Sequence, residues 1–307
     1  MKKILFSLCL AIAGLTFTMA QVTDAEADLL DVDEELEDGW RSGGLFSLSF
    51  SQITLTNWAA GGENSLSGNS LVSMYADYRQ GNLTWNNSLD LGYGLQKRED
   101  ENARKTDDKI DLVSKVGMRA AKDWYYAGLV NFRTQMTAGY NYPDDTTPIS
   151  KFFAPAYLLG ALGMDYKPSD NFTLFLAPLT GKLTIVTDDV LSAAGAFGVK
   201  PGEKTLGEFG GYLRTQYRRN LTENISVLTK LDLFSNYLEK PQNLDVNWET
   251  LVMANLTRYI TVSFATHLIY DESVMIAYDS TDDGIEDAAG PRIQFKQLLG
   301  VGFSFRF

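Results

Sequence analysis

Histidine occurs once in this 307-residue sequence, as His267, and this restricts the chemistry that the chain can perform. The best-defined enzymatic possibility is a membrane phospholipase, in which a serine nucleophile needs a histidine base. His267 would have to be that base, yet the sequence contains no Gly-x-Ser-x-Gly motif. A single histidine in a polar setting more often belongs to a hydrogen-bond network. We therefore expect no enzyme and no catalytic residue, with a lipid hydrolase using His267 as the remote alternative.

An acidic segment over 279–287 invites a metal-binding interpretation. Its aspartates and Gly284 partly fit the spacing of a calcium loop of the EF-hand type. However, Thr281 stands where Asp or Asn is needed, and Gly290 replaces the bidentate glutamate. We expect a solvated acidic loop, no metal and no cofactor. The net charge of −12 also argues against a nucleic-acid partner.

Charged side chains of both signs recur at alternate positions of otherwise apolar segments, and they are the main functional candidates. If these segments are strands, the charges share one face, and closing the sheet turns that face inward. The basic side chains would favour anionic solutes if they share one wall. Ion pairs between basic and acidic side chains could instead close the interior. The candidates for lining this interior are Asp90, Lys115, Arg133, Arg214, Arg218, Lys230, Asp232, His267 and Asp271.

The elements that would position these charges are β-strands with a two-residue alternation. In 82–96, leucines and aromatic residues occupy one face, while Thr, Asn, Ser, Asp and Gly occupy the other. Three prolines make 154–187 less regular, and two strands are assigned there. The predicted strands are 45–56, 70–79, 82–96, 108–121, 125–137, 156–167, 171–186, 209–218, 224–237, 245–257, 260–271 and 292–307.

A membrane location explains why one face of these strands is apolar and the other is too polar for a packed core. Beyond the N-terminal segment, no stretch approaches the ~20 apolar residues that a membrane helix needs. A membrane protein without such helices must be a closed barrel, since lipid offers no partners for backbone groups. The fold class is therefore all-β, a transmembrane antiparallel up-and-down barrel of about 12 strands.

The connectors support this fold because short and long ones alternate strictly. Outer-membrane barrels have short periplasmic turns and long outer loops, an alternation that a soluble sandwich has no reason to show. Aromatic residues also gather near both ends of the strands, as expected at membrane interfaces. The short turns lie near 80–82, 122–123, 168–171, 220–224 and 258–259, and the longer loops near 58–68, 97–107, 140–153, 187–207, 240–243 and 272–291.

The N-terminal region divides into two further segments. Residues 1–20 have two lysines, an apolar run and small residues at the end, which predicts a secretory signal peptide containing the single cysteine, Cys9. Residues 21–41 carry nine acidic residues between Asp24 and Asp38, which favours a disordered periplasmic tail. A docking peptide for a basic periplasmic partner is the alternative. Residues 42–307 form the predicted barrel.

The last strand combines alternation with an aromatic face made of Phe303, Phe305 and Phe307. It resembles the C-terminal strand of bacterial outer-membrane barrels, whose terminal Phe is read by the barrel-assembly machinery. This resemblance implies that the three phenylalanines are an assembly signal. The partners expected are outer-membrane lipid and that machinery, after signal-directed export to the outer membrane of a Gram-negative bacterium.

Several local motifs along the chain are distinctive. They are 58–65 (WAAGGENS), 85–87 (WNN), 105–108 (KTDD), 153–157 (FAPAY), 178–184 (PLTGKLT), 231–237 (LDLFSNY) and 268–271 (LIYD). Together they resemble an uncharacterised bacterial outer-membrane β-barrel family, domain of unknown function 3078. The resemblance covers essentially all of 43–307. It implies a location and a barrel, but no activity or site.

The width of the predicted barrel suggests its function. A barrel of about twelve strands is wider than the eight-stranded type that side chains fill, and narrower than large porins. We therefore expect a narrow, porin-like channel for small hydrophilic solutes. The alternative is a non-conducting structural, receptor or secretion-accessory barrel that acts through its outer loops or acidic tail.

Overall fold

The computed structural model describes residues 38–55, 63–98, 101–169, 171–257, 260–278, 281 and 288–306. Within these residues, twelve antiparallel strands form one closed barrel, and two short hairpins lie in its connectors. The described residues include no helix that is long and apolar enough to cross a membrane. The fold class expected from the alternating pattern is thus confirmed.

The strands are numbered in chain order. Those of the barrel are β1 (Gly39–Ile53), β2 (Ser65–Gln80), β3 (Leu83–Arg98), β4 (Arg104–Ala121), β5 (Trp124–Thr134), β8 (Ala156–Ser169), β9 (Phe172–Ile185), β10 (Thr205–Asn220), β11 (Ile225–Asn236), β12 (Asp245–Asn255), β13 (Ile260–Tyr270) and β16 (Gln294–Arg306). The hairpins in the connectors are β6 (Gly139–Tyr140) with β7 (Pro148–Ser150), and β14 (Ile276–Tyr278) with β15 (Ala288–Gly290).

Pairing between the first and last strands closes the barrel. Each of the remaining barrel strands pairs with the barrel strands that precede and follow it along the chain. β1 pairs with β16 from Leu45–Arg306 to Leu48–Phe303. Closure leaves the sheet without an edge strand, so its backbone groups find partners inside the sheet. This is the condition for crossing lipid with strands.

Four strands begin at least four residues earlier than their alternation indicates, among them β4 at Arg104 rather than 108 and β10 at Thr205 rather than 209. β2 starts at Ser65 rather than near residue 70. The small polar residues at its beginning give no hydrophobic signal, so the sequence pattern did not reveal them. β1 starts at Gly39, inside the segment assigned to the acidic tail. There the Trp40 ring packs at 5.2 Å from Tyr78 and 5.6 Å from Trp85, an aromatic contact that extends the pairing with β2.

The two ends of the barrel differ in their connectors, and we name them the turn end and the loop end. Short connectors such as the one at Lys122 and Asp123 define the turn end, and both termini of the barrel sheet lie there. Between β9 and β10, the loop end carries α1 (Asp189–Ala193) and a 3₁₀ turn. The side chains of Val186, Leu191 and Val199 bury this loop against Ala154.

The outer face of the sheet is apolar. Val130 on β5, Leu162 on β8 and Phe303 on β16 are more than half exposed on this face. Such a band is what a hydrocarbon environment requires of a closed barrel. The predicted signal peptide, residues 21–37 of the predicted tail and Phe307 lie outside the described residues, so the assembly role of the phenylalanines stays a prediction.

Candidate functional site

Charged side chains meet across the inside of the barrel, between strands that are not neighbours. Lys115 on β4 lies 2.7 Å from Asp165 on β8. Lys109, also on β4, lies 3.9 Å from Glu249 on β12, the strand on the opposite side of the barrel. Only side chains that point into the interior can make such contacts.

At mid-height the interior is crossed by ion-paired side chains, which we call the central charged layer. Its best-defined pair joins Arg133 to Asp111, with Nε and Nη2 donating to one carboxylate oxygen at 2.9 and 2.8 Å. Asn131 donates to the other oxygen of Asp111 at 2.5 Å. The layer consists of Lys109, Asp111, Arg133, Arg214, Lys230, Asp232 and Glu249.

A cavity of about 460 Å³ lies on the loop side of the central charged layer, and we call it the loop-end cavity. Lys182 projects into it and lies among three carboxylates, at 3.1 Å from Glu208, 3.0 Å from Asp245 and 3.5 Å from Asp271. Phe197, from the loop that carries α1, also lines this cavity. The loop therefore forms part of the mouth.

A second cavity of about 210 Å³, the turn-end cavity, lies on the other side of the layer. Its wall includes Arg214, Gln216 and Arg218, successive inward residues of β10. Lys115 and Lys167 line it from β4 and β8, and Asn171 of the β8–β9 turn lies at its rim. The interior thus contains two compartments, each lined in part by charged side chains.

The layer between the compartments leaves a gap of about 10 Å³. A gap of roughly 10–15 Å³ is about the space that one water molecule occupies. The residues around it also line the cavities: Arg214 and Lys230 face the turn end, while Arg133, Asp232 and Glu249 face the loop end. The cavities therefore approach each other through a constriction made of side chains.

The residues singled out by sequence occupy different heights along the barrel. Asp90 is buried in the wall and accepts a hydrogen bond from the hydroxyl of Ser73. The turn-end cavity is lined by Lys115, Arg214, Arg218 and Lys230, and the loop-end cavity by Arg133, Asp232, His267 and Asp271. Arg133, Arg214 and Lys230 meet at the gap, whereas Arg218 lies nearer the turns.

Other inward residues escaped the sequence analysis. Asp165 forms ion pairs with both Lys115 and Lys167, and Pro168 next to Lys167 obscured the alternation of β8. Lys109 shares the parity of Lys115 and could have been found by counting. The buried rings of Phe175 and Phe234 show that the interior is partly apolar, which an alternating pattern does not reveal.

His267 is part of the charged interior. Its Nε2 atom lies 2.6 Å from Oδ1 of Asn247 and 3.6 Å from a carboxylate oxygen of Glu249. Its contacts are thus an amide and a carboxylate. Within the described residues, no group of His, Cys, Asp and Glu is arranged to hold a metal ion.

Outside the barrel wall, Asp188 fixes the start of α1. It accepts hydrogen bonds from the backbone N–H groups of Val190 and Leu191 at 3.1 and 3.0 Å, and from Lys151 Nζ at 2.5 Å. The hydrogen bond from Lys151, followed by the one from the backbone of Leu191, holds the pKa of the Asp188 carboxyl below its usual range.

A closed antiparallel barrel with an apolar outer face and a charged interior defines an outer-membrane β-barrel protein. Within this class, residues 50–140 match the model of a family described as a protein of unknown function, DUF3078. The match confirms the resemblance seen in the sequence, over a shorter range than the motifs suggested. The sequence matches no curated protein.

Three solved structures are similar to this chain at low sequence identity and low TM-score. An outer membrane channel from Pseudomonas putida F1 has 13% identity and a TM-score of 0.41, covering 90% of this chain and 100% of its own. The translocator domain of the autotransporter NalP from Neisseria meningitidis has 12% identity and a TM-score of 0.35, covering 91% of each chain. The P. putida toluene transporter TodX has 10% identity and a TM-score of 0.33, covering 88% and 90%.

Proposed function

We propose that this protein is an outer-membrane channel for small hydrophilic solutes. One observation carries the proposal: two cavities that both contain charged side chains face each other through a constriction made of side chains that project from the barrel wall. Side chains can exchange partners without unfolding the sheet, whereas a backbone segment at the same place would have to leave. Selective passage through such a constriction is a known use of charged rings in pores.

The loose geometry of part of the layer supports passage. Lys109 lies 3.9 Å from both Asp111 and Glu249, and Arg214 lies 3.7 Å from Asp232. These distances exceed the 2.7–3.2 Å of a direct hydrogen bond, so charge attraction rather than a hydrogen bond of fixed geometry holds these particular pairs. We infer that a small solute passes by replacing these contacts one after another.

A non-conducting barrel is the second candidate function, because other contacts in the central charged layer are short hydrogen bonds. The two hydrogen bonds from Arg133 to Asp111, with Asn131 bound to the same carboxylate, form a network that resists opening. If the whole layer behaves like this pair, the barrel does not conduct. It would then act through its outer loops or its N-terminal tail.

Conductance of Arg133→Ala tests the channel proposal. Shortening this side chain widens the gap between the cavities, so we expect larger single-channel conductance than in the parent protein. Arg119→Ala is the matched control. It removes the same charge and side chain, but Arg119 packs on Tyr125, away from the gap. Heat-modifiable migration on gels checks folding. A folded Arg133→Ala barrel with no openings would support the non-conducting alternative.

The geometry gives no support for the lipid hydrolase. His267 faces the interior rather than the lipid, and its Nε2 contacts Asn247 and Glu249. The three similar structures described above are named as a channel, a translocator domain and a transporter. We therefore propose no enzymatic role.

A further inference from the structure

The charged side chains that line the turn-end cavity are mostly basic. Among the described residues, five of the six charged side chains that line it are basic: Lys115, Lys167, Arg214, Arg218 and Lys230, against Asp77. The loop-end cavity shows the opposite preference, because carboxylates outnumber basic side chains in its lining. The two compartments of one barrel therefore offer different electrostatic environments to a solute.

We propose that the turn-end cavity binds a small oxyanion, such as a phosphate or a dicarboxylate, and makes the channel prefer anions. The proposal rests on the proposed function for the effect on permeation, while the binding itself does not require conduction. Its basis is the set of basic side chains gathered on the cavity wall, together with the polar groups placed between them.

Several hydrogen-bond donors project into the cavity from the same wall. Arg214, Gln216 and Arg218 alternate along β10, so all three side chains project from one face. Lys230 on β11 pairs in register with Gln216 and is buried, which places an ammonium group beside the amide. Two guanidinium groups can bind carboxylate or phosphate oxygens in pairs, a geometry that a point charge cannot offer.

The carboxylates nearby do not cancel this positive charge. Asp77 lies 3.7 Å from Arg41, a further basic residue at the same end. Asp165 is shared between Lys115 and Lys167, at 2.7 and 3.3 Å.

Two more carboxylates lie in reach. Asp232 lies 3.7 Å from Arg214 and accepts a hydrogen bond from Tyr212, and Glu249 on β12 pairs in register with Lys230. Together with Asp77 and Asp165 they make four carboxylates against six basic side chains, Arg41 included, among the described residues around the cavity. An entering anion would restore the balance.

The size and position of the cavity fit a free anion. A volume of about 210 Å³ accommodates a solute of several heavy atoms together with water. Asn171, Phe172 and Thr173, at the start of β9, line the cavity, so its entrance is at the turn end. We commit to a soluble oxyanion rather than a lipid headgroup, because the basic residues face the interior and the outer face is apolar.

Titration calorimetry of the folded full-length protein in detergent tests the binding directly, with inorganic phosphate and malonate as probes. Measurements at physiological salt screen non-specific attraction beyond ~8 Å. We expect saturable binding of at least one probe, and an affinity at least tenfold lower for Arg218→Gln. Lys122→Gln is the control: it removes the same charge from an exposed position at the turn end and should bind like the parent.

Three results would overturn the site: no binding of either probe, an equal loss in Arg218→Gln and Lys122→Gln, or an unchanged affinity in Arg218→Gln. Arg214→Gln provides a second variant if Arg218→Gln does not fold. Reversal potentials in asymmetric KCl then separate the two proposals. A silent barrel that binds phosphate contradicts only the channel, and a conducting barrel that neither binds the probes nor prefers chloride contradicts only the anion site.

Discussion

Lys182 shows what a buried charge contributes in this barrel. Its side chain is 12% exposed and lies within 3.5 Å of the carboxylates of Glu208, Asp245 and Asp271. Replacing it in Lys182→Met keeps the shape but leaves three like charges together. We expect the free energy of unfolding to fall by about 3–5 kcal/mol, the range for breaking a buried ion pair. Urea denaturation followed by tryptophan fluorescence measures this change.

The control for that experiment is an exposed pair in the loop. Lys204 lies 2.7 Å from Asp189, and both side chains are more than half exposed. Lys204→Met should therefore change stability by roughly 0–1 kcal/mol. Equal losses in Lys182→Met and Lys204→Met would show that the interior is as well solvated as the surface.

At this scale, the sequence indicates which residues face inward but not which ones meet. Alternation alone places Arg214 and Asp232 inside, and they do lie 3.7 Å apart on neighbouring strands. The contact of Lys109 with Glu249 depends on which strands lie opposite each other. That arrangement follows from the closure and tilt of the whole barrel, which no local pattern contains.

Among the elements, α1 depends on one residue. Asp188 caps the helix through the N–H groups of Val190 and Leu191 and also binds Lys151. Asp188→Ala removes these bonds, and we expect the loop to lose about 0.5–2 kcal/mol of local stability, the usual value of a helix cap. Hydrogen exchange of residues 189–199 measures it, with Asp189→Ala as the control. Unchanged exchange in Asp188→Ala would contradict this role.

The lowered pKa of Asp188 also predicts how the stability of this loop responds to pH. Since the pKa of Asp188 is lowered in the folded protein, its contribution is complete above the ordinary carboxylate pKa of about 3.9. The contribution is lost only as the pH falls through the lowered value. Exchange of the loop amides, corrected for intrinsic rates, should thus be constant from pH 7 to pH 5. Marked loosening between pH 7 and pH 5 would contradict the assignment.

Elements with strong alternation were predictable, and those built from small residues were not. β3 begins at Leu83 and extends two residues past the predicted end, because its leucines and aromatic residues alternate throughout. The starts of β1, β2, β4 and β10 were missed, since the small or charged residues there follow no hydrophobic pattern. Their position is set by pairing with neighbouring strands.

At the scale of the whole molecule, the apolar outer face is what suits the barrel to a membrane. Val130 lies near the middle of β5 and is 52% exposed on that face. Val130→Arg should destabilise the barrel in lipid vesicles by about 2–4 kcal/mol, the cost of a basic residue at the bilayer midplane. Leu256→Arg, in the short turn between β12 and β13, is the control and should cost about 0–1 kcal/mol. Similar costs for both variants would argue against a membrane-spanning orientation.

The global architecture followed from the sequence more fully than the site did. Alternation, connector lengths and the need to satisfy backbone groups in lipid were enough to predict a closed barrel of about twelve strands. The division of the interior into two cavities of opposite charge could not be predicted. It depends on side chains such as Arg133 and Glu249, whose heights along the barrel are fixed by the register between strands.

The central claim is that the two cavities form one conducting path, and planar-bilayer recording of the refolded full-length protein tests it most directly. We predict discrete openings whose conductance increases with salt concentration and is larger in Arg133→Ala. Bilayers that stay silent, although the same preparation shows a heat-modifiable folded barrel, would contradict the claim.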